Sequence, residues 1–226
     1  MQSPAAEEYL EAIFKLNESE GPVKPSRLAS SLGISQASVT EMVRRLTEQD
    51  LASKDEDNSI RLTEKGRRTA LKVVRRHRLA ERFLTDILGF SWDTVHDQAC
   101  RLEHAMSQEM EDGLDRLLEY PDTCPHGHPI PNREGEVASR QLTSLASLAP
   151  GKRAVIAQVS EDDPAMLQYL ASLGLLPDTE VTVEEIAPFG GPIMVAVDSA
   201  RYAIGRELAS KIQVTTPTSS PQSAGD

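Results

Sequence analysis

Hydrophobic and polar positions follow two different patterns along this chain. Through residues 4–16, 21–51 and 63–118, apolar residues recur every three to four positions, which places them on one face of an α-helix. From residue 150 onward, short apolar and β-branched runs alternate with Gly, Pro and Asp, a pattern typical of closely spaced strands. The sequence therefore predicts a mainly α protein with small β parts and a small β-barrel near its C-terminal end.

A helix, a short turn and a second helix are predicted between residues 25 and 49. Gly33 supplies the turn, and Ser35 is a good N-cap for a helix that runs from Gln36 to Gln49. This spacing is typical of a helix-turn-helix, with an ordinary helical hairpin as the alternative. Small polar groups at the helix start suit base edges, and arginines suit phosphates. The candidate DNA-binding residues here are Arg27, Ser35, Gln36, Ala37, Ser38, Thr40, Arg44 and Arg45.

Residues 51–62 are predicted to form a wing, a short hairpin that follows the recognition helix. Two brief β-like runs flank an Asp-Asn-Ser turn. Lys54 and Arg61 are the candidate contacts to the DNA backbone or the minor groove. Three acidic residues lie between them, so we expect the tip of the hairpin to stay off the DNA.

Two longer helices, predicted from Thr63 to Leu88 and from Asp93 to Leu118, carry the candidate metal ligands. These ligands recur at helical spacing and are His77, Glu81, His96, Cys100, Glu103 and His104. His96 and His104 are about 12 Å apart along a helix, too far for one ion with bonds of about 2 Å. The pattern favours two sites, one from His77, Glu81 and His96. Cys100, Glu103 and His104 would form the other with a further ligand, and a polar helix face with one buried cysteine is the alternative.

The segment after these helices is rich in proline and glycine. Cys124, His126 and His128 alternate there with Pro or Gly, and a rigid, partly buried loop is favoured over a third metal site. Residues 136–149 are small and polar and are predicted to be a linker. The tail from about Thr216 is predicted to be disordered.

The C-terminal β region contains five predicted strands and one helix. The strands are Val155–Val159, Glu180–Ile186, Ile193–Val197, Tyr202–Ile204 and Ile212–Val214, and the helix is Pro164–Leu173. Three acids precede the helix: Glu161, Asp162 and Asp163. They suit either the start of a helix or a metal site to which this region donates a ligand, and the pattern alone does not separate the two.

Charge is unevenly divided along the 226 residues. The net charge is −11, but residues 1–82 hold 15 Lys/Arg against 13 Asp/Glu, whereas the remainder holds 9 against 22. DNA binding is therefore expected in the first third of the chain. No apolar run approaches about 18 residues, and two cysteines do not make a disulfide framework. These features predict a cytoplasmic protein without membrane contact.

The winged helix-turn-helix and the ligand-bearing helices together resemble the diphtheria toxin repressor family. The resemblance covers nearly the whole chain and is most specific at RRHRLAERFLTDILG, VHDQACRLEHAMS and PHGHPIP. PHGHPIP matches a family loop, which supports the interpretation without metal. The domains implied are a winged helix-turn-helix (1–72), a helical metal-binding and dimerisation domain (73–135), a linker (136–149), an SH3-like domain (150–215) and a tail (216–226).

The resemblance also implies two metal ions per subunit. The primary site would use Glu8, Cys100, Glu103 and His104, and the ancillary site His77, Glu81, His96 and Asp163. Met166, at another ligand position, is a poor ligand for Mn(II), so Glu161 and Asp162 are further candidates in its place. Glu11 is also a possible ligand. Glu8 stands where the iron-sensing branch has a methionine, although Cys100 matches that branch. A carboxylate oxygen suits Mn(II), so Mn(II) is the expected cofactor and Fe(II) the second candidate.

The function that the resemblance implies is transcriptional repression of metal homeostasis genes, with the metal as corepressor. The partners would be a second copy of the chain and double-stranded palindromic operator DNA, with no organic substrate. Surplus apolar residues on the two long helices independently indicate a second subunit. A metal-dependent hydrolase is the alternative from another class, but the chain has no HExxH motif and no Gly-rich phosphate loop, so no enzyme activity is expected.

Overall fold

The computed structural model describes residues 3–161 and 163–215, without the side chains of Ser19 and Glu20. The candidate ligand Asp162 and the predicted disordered tail therefore lie outside the described residues. Within these residues the chain forms two compact units. The first comprises Met1–Ala80, Ala99–Tyr120 and Ile130–Ala138, and the second Glu81–Gln98, Pro121–Pro129 and Ser139–Asp226.

The N-terminal half is helical apart from one hairpin. Its elements are α1 (Pro4–Glu20), α2 (Pro25–Leu32), α3 (Gln36–Glu48), β1 (Ala52–Lys54), β2 (Ile60–Leu62), α4 (Glu64–Arg82), α5 (Val95–Glu103) and α6 (Gln108–Leu117). A π-helical turn, Phe83–Ile87, continues α4. The predicted winged helix-turn-helix is confirmed, because α2 ends at the left-handed Gly33 and β1 pairs antiparallel with β2. Among the described helices, none has both the length and the apolar character needed to cross a membrane.

One hydrophobic core holds the DNA-binding elements together. Its buried residues come from α1, α2, α3, the hairpin and α4, and include Phe14, Leu28, Val43, Ile60 and Leu71. Full burial of a side chain of this size contributes about 1.5–3 kcal/mol. Because these elements share one close-packed core, a displacement of α1 is transmitted to α3.

The prediction of one continuous helix from Asp93 to Leu118 is wrong. α5 ends at Glu103, and α6 begins only at Gln108. The reason is Ser107, whose hydroxyl accepts a hydrogen bond from the backbone N–H of Met110 and caps α6. His104 consequently lies in the turn that follows α5.

The C-terminal part is a small antiparallel β domain, as the SH3-like prediction requires. Its elements are β3 (Thr143–Ser144), a 3₁₀ turn (Leu145–Ser147), β4 (Arg153–Val159), α7 (Pro164–Ser172), β5 (Glu180–Ile186), β6 (Ile193–Val197), β7 (Ala200–Ile204), α8 (Arg206–Ser210) and β8 (Ile212–Thr215). The strand order is β3-β8-β4-β5-β6-β7. Irregular registers in β4 and β5 mark β-bulges, which bend strands.

The predicted linker, residues 136–149, is not a linker throughout. Thr143 and Ser144 form a strand that pairs with β8, and Leu145 is fully buried in the core of the β domain. This strand and its buried neighbour were missed in the sequence, because two leucines among small polar residues are too few to show a helical or strand periodicity.

Candidate metal centres and DNA interface

A first cluster gathers carboxylates and an imidazole from α1, α4 and α5. His77 Nδ1 lies 2.5 Å from Glu103 Oε2 and 3.8 Å from Glu11 Oε1. All three side chains are buried. One ligand atom from each lies within 4.8 Å of the others, close to the spread of donors around one ion. The structure thus brings Glu11, a further candidate in the sequence, together with two expected ligands.

Three other expected ligands flank this cluster. Cys100 Sγ lies 3.9 Å from His77 Nδ1. His104 Nε2 lies 3.3 Å from Glu103 Oε1 and 3.8 Å from Glu8 Oε1. The Glu8 side chain is 56% exposed, so it reaches His104 from the solvent side. The residues expected in the primary site therefore lie near one another, together with His77.

Negative charge accumulates in the first cluster. Burial raises the pKa of Glu103, the charge of Glu11 adds to the rise, and the hydrogen bond with His77 opposes it. Lys15 offsets part of the charge by pairing with Glu11 at 3.1 Å. Glu103 Oε1 and His104 Nε2 face each other as buried atoms without a hydrogen-bond partner. A cation between two such acceptors stabilises both, so this donor set fits a divalent metal ion.

A second cluster lies wholly in the second unit and consists of Glu81, Cys124, His126 and Glu161. His126 Nδ1 lies 3.6 Å from Glu81 Oε1, 3.7 Å from Glu161 Oε2 and 4.0 Å from Cys124 Sγ. The sequence favoured a metal-free loop for Cys124 and His126. The structure places both beside two carboxylates, which is the arrangement of a candidate metal site.

The orientation of His126 suits a metal ligand. Its Nε2–H donates to the backbone carbonyl of Trp92 at 2.8 Å, which turns Nδ1 toward the cluster. Burial alone would lower the pKa of His126, but hydrogen bonds to Cys124 and Glu81 raise it to about 11. Burial also raises the pKa of Cys124, and the charge of Glu81 adds to that rise. Both side chains must lose a proton before they can bind a metal ion.

Gly127 brings the loop that carries Cys124 and His126 against β4. Its φ is +87°, and a Cβ at this position would lie 2.0 Å from the carbonyl oxygen of Ala157. Val159 N–H donates to His126 O at 3.0 Å, and His128 Nε2–H donates to Val159 O at 2.9 Å. His128 is therefore an anchor of the loop. A glycine between two histidines could have indicated this close approach, but Ala157, which it approaches, lies 30 residues further along the chain.

The residues expected in the ancillary site are divided between the two units. His77 belongs to the first unit, whereas Glu81, His96 and Asp163 belong to the second. His96 Nδ1 lies 3.8 Å from Glu81 Oε1. Asp163 is exposed and caps α7, because its carboxylate accepts from the backbone N–H of Ala165 and of the next residue. The further candidate Glu161, not Asp163, lies in the second cluster.

The start of α3 presents a polar surface to solvent. The exposed candidates are Arg27, Ser35, Gln36, Ala37, Ser38 and Thr40. Ser35 caps the helix by accepting from the N–H of Ser38 at 3.1 Å, and Thr40 Oγ1 donates to Gln36 O at 2.9 Å. The first turn of α3 is therefore well ordered and accessible, as base readout in a major groove requires.

Glu41 occupies the middle of this exposed surface, and the sequence reading did not single it out. It accepts hydrogen bonds from Arg44 at 2.8 and 3.1 Å and from Arg45 at 2.9 Å. These bonds lower the pKa of Glu41 to about 2. Arg44 also pairs with Glu48. The sequence does contain a signal for these ion pairs, because Arg44 and Arg45 follow Glu41 by three and four residues on the same helix.

Two acids of the wing pair with cations, one of the wing itself and one from the segment before α2. Arg61 pairs with Asp55, and Lys24 pairs with Asp57 at 2.6 Å. The hydrogen bond from Lys24 holds the pKa of Asp57 well below its usual range. Lys54 is exposed beside them. The acids of the tip thus neutralise neighbouring cations.

Three family models match successive parts of the chain. The iron dependent repressor N-terminal DNA binding domain matches residues 1–58, and the iron dependent repressor metal binding and dimerisation domain matches residues 63–132. The FeoA domain matches residues 143–216.

Two curated relatives are similar to the chain over most of its length. The iron-dependent repressor IdeR of Mycobacterium leprae is 34% identical over 220 residues, which cover 92% of this chain and 95% of the relative. The diphtheria toxin repressor of Corynebacterium glutamicum is 34% identical over 220 residues, with coverages of 92% and 94%. The chain belongs to the diphtheria toxin repressor family.

A solved member of similar structure is a manganese-dependent transcriptional repressor in complex with manganese. Its TM-score is 0.88 at 38% identity, and the match covers 94% of this chain and 100% of that one. As a member of the diphtheria toxin repressor family, this chain is a metal-dependent transcriptional repressor with a DNA-binding and a dimerisation domain. The family consists of repressors and not of enzymes, which sets the hydrolase alternative aside.

Proposed function

We propose that Mn(II) is the corepressor of this protein. Its activating site would be the first cluster (Glu11, His77 and Glu103) together with the flanking Glu8 and His104. The observation that carries the proposal is the facing pair of buried acceptors, Glu103 Oε1 and His104 Nε2, 3.3 Å apart and without hydrogen-bond partners. Glu8, Glu11 and His77 complete the donor set. A bound divalent cation supplies the positive charge that lets these acids and imidazoles face one another.

The donor chemistry of the first cluster supports Mn(II) over Fe(II). Three carboxylates and two imidazoles are available there, against one sulfur, that of Cys100, which lies 3.9 Å from His77 Nδ1. Carboxylate oxygens suit Mn(II), and thiolates favour softer ions. Fe(II) remains the second candidate, because relatives named for iron and for manganese are both similar to this chain.

α1 connects the first cluster to the DNA-reading surface. It carries Glu8 and Glu11, and it packs against α2, α3 and β2. When the site lacks a cation, the carboxylates of Glu11 and Glu103 repel each other and disfavour the close approach of α1 to α5. Once that repulsion is neutralised, α1 stays in place and the shared core sets the position of α3.

The operator that fits this arrangement is palindromic. Two copies joined through the dimerisation domain present two α3 helices, which reach half-sites separated by about 34 Å, one helical turn of DNA. Each unit exposes large apolar side chains that supply surface for the second copy: Met110, Leu117 and Tyr120 in the first unit, and Ile87, Leu88 and Phe90 in the second. Only with α1 held in place would both recognition helices match successive major grooves.

Metal removal tests the proposed function. Metal-stripped protein is incubated with fragmented genomic DNA of its host, with and without Mn(II), and the retained fragments are sequenced. We expect a few palindromic promoter sites to be enriched only in the Mn(II) arm. Equal retention of the same fragments in both arms would contradict the corepressor role, and an anaerobic Fe(II) arm shows whether iron acts instead.

The second cluster is proposed to hold the other of two ions per subunit. Trp92, the single tryptophan of the chain, stacks on His126 with ring centroids 5.4 Å apart. Paramagnetic Mn(II) bound beside His126 is therefore expected to quench Trp92 fluorescence, and a chelator should restore it. The matched variant Cys124→Ala should need a higher Mn(II) concentration for the same quenching, about tenfold or more. An unchanged midpoint would count against metal binding by this cluster.

Glu41→Gln is expected to strengthen general DNA binding. The substitution removes a negative charge from the recognition helix and releases Arg45 toward phosphates, while Arg44 keeps its pair with Glu48. One additional phosphate contact would steepen the slope of log K against log[salt] by about one unit. The measurement is DNA affinity over a range of salt concentrations, with Glu48→Gln as the control, because it removes the same charge but leaves both arginines bound to Glu41. The same slope in Glu41→Gln as in the unmodified protein would refute the role given to Glu41.

A further inference from the structure

Glu7 and its neighbour Glu8 lie in very different surroundings, although both are in the first turns of α1. The Glu7 side chain is 13% exposed, whereas that of Glu8 is 56% exposed. Glutamate side chains at the start of a helix commonly face solvent, but that of Glu7 is largely buried. Burial of a carboxylate costs free energy unless polar partners replace the water around it, so Glu7 is expected to have such partners.

Two partners from other elements contact Glu7. Its Oε2 accepts a hydrogen bond from Arg76 Nη2 at 3.2 Å and lies 3.0 Å from His104 Nδ1. A carboxylate oxygen accepts hydrogen bonds, so His104 Nδ1 carries the proton of the hydrogen bond to Glu7 Oε2. Glu7 therefore selects one tautomer of His104.

This tautomer determines which atom of His104 can bind a metal ion. With the proton on Nδ1, the lone pair of Nε2 points toward Glu103 Oε1 at 3.3 Å and Glu8 Oε1 at 3.8 Å. His104 Nε2 is buried without a hydrogen-bond partner. The ring is thus held in the orientation that a ligand needs before any ion binds.

We propose that Glu7 is a positioning residue that prepares His104 as a ligand and couples its occupancy to α1. The inference rests on the proposed metal site at Glu103 and His104. When Nε2 is coordinated, the Nδ1–H becomes a more acidic and stronger donor, so its hydrogen bond to Glu7 strengthens. Glu7 thereby ties α1 to the turn after α5 independently of Glu8 and Glu11, and the hydrogen bond from Arg76 holds the accepting carboxylate in place.

The test compares four variants of the full-length chain: Glu7→Ala, Glu7→Asp, Glu7→Gln and the control Glu64→Ala. Glu7→Asp keeps the charge but shortens the reach, and Glu7→Gln keeps the reach and an accepting oxygen. Glu64 is an exposed acid in the first turn of α4, so it controls for loss of a helix-start charge. Metal-stripped protein labelled with ¹⁵N at histidine reports the tautomer, with His104→Ala identifying the resonances.

Metal affinity is measured at the same resonances with Cd(II), a diamagnetic probe, buffered by a competing chelator. We expect Glu7→Ala and Glu7→Asp to lose the Nδ1–H tautomer and to bind Cd(II) at His104 about 10–100-fold more weakly. Glu7→Gln should keep the tautomer and lose less than about fivefold, and Glu64→Ala should match the unmodified protein. If Glu7→Ala does not fold, Glu7→Asp carries the test alone.

Two outcomes separate this inference from the proposed function. If the unmodified protein binds Cd(II) with no change at the His104 resonances, the proposed metal site fails and the inference with it. If Cd(II) shifts the His104 resonances in all variants with equal affinity and an unchanged tautomer, the metal site stands and the role of Glu7 is overturned.

Discussion

Glu103→Ala is expected to abolish metal-stimulated DNA binding. Glu103 is fully buried and faces both His77 and His104, through Oε2 and Oε1 respectively. Its loss removes a charged ligand. Loss of a supporting residue already weakens metal affinity about 10–100-fold, and loss of a ligand should weaken it at least as much. At a Mn(II) concentration that just saturates the unmodified protein, we expect the DNA affinity of the variant to fall to that of metal-stripped protein, as measured by fluorescence anisotropy.

The controls for this prediction separate the two clusters. His77→Ala should behave like Glu103→Ala, because His77 Nδ1 lies 2.5 Å from Glu103. Glu81→Ala, in the second cluster, should reduce the response to Mn(II) less while removing the quenching of Trp92. All three variants should remain dimers by light scattering. Loss of the DNA response in Glu81→Ala but not in Glu103→Ala would reverse the roles of the two clusters.

Arg75→Ala is expected to destabilise the first unit by about 3–5 kcal/mol. Arg75 is buried and pairs through Nε with Glu111 at 2.7 Å and through Nη2 with Asp115. Its Nη1 donates to the carbonyl oxygen of Pro131 at 2.7 Å. Removing this one cation leaves two buried carboxylates with little compensating charge. It also removes the ion pairs that connect α4 to α6. Urea unfolding of metal-stripped protein measures the change in free energy.

Arg133→Ala is the matched control for Arg75→Ala. Arg133 also contacts Asp115, at 3.4 Å, and pairs with Asp112, but its side chain is half exposed. Solvent can replace it, so the free energy of unfolding should change little. Equal destabilisation by the two substitutions would mean that desolvation of the carboxylates is not the cause.

Local patterns in the sequence predicted most of the elements and the ends of some of them. The bounds of β5 and β6 were predicted as the structure has them, because alternation and flanking turn residues are local signals. The break between α5 and α6 was missed, because the sequence pattern does not distinguish a serine that caps a new helix from one within a continuous helix. The strand β3, which pairs with β8, was missed because its segment is only two residues long.

Spacing identified the metal-binding residue types but not how they are grouped. Side chains four residues apart on a helix differ by only about 40° in direction, so His77 and Glu81 appear to share a face. In the structure they belong to different clusters, because α1 supplies Glu11 beside His77 and the loop after α6 supplies His126 beside Glu81. Such grouping depends on tertiary packing that the period of one helix does not encode.

The second cluster and Glu7 show what sequence reasoning needs in addition. Cys124 and His126 reach Glu81 only because Gly127 allows the loop to approach β4 closely. Glu7 is distinguished from Glu8 only by what each contacts, since both are acids at the start of the same helix. In both cases the contacting residues lie far apart in the chain, so their contact depends on the folded structure and leaves no local pattern in the sequence.

The most direct test of the central claim is DNA affinity as a function of free metal concentration. An operator fragment recovered from the genomic retention experiment is titrated with protein at buffered free Mn(II), and in parallel at buffered free Fe(II) without oxygen. We expect the affinity of the unmodified protein to rise with Mn(II) at a lower free concentration than with Fe(II), and that of Glu103→Ala to stay at the metal-free level. An equal Mn(II) response in Glu103→Ala, or a response to Fe(II) at a lower concentration than to Mn(II), would contradict the assignment of the first cluster as a manganese-activated switch.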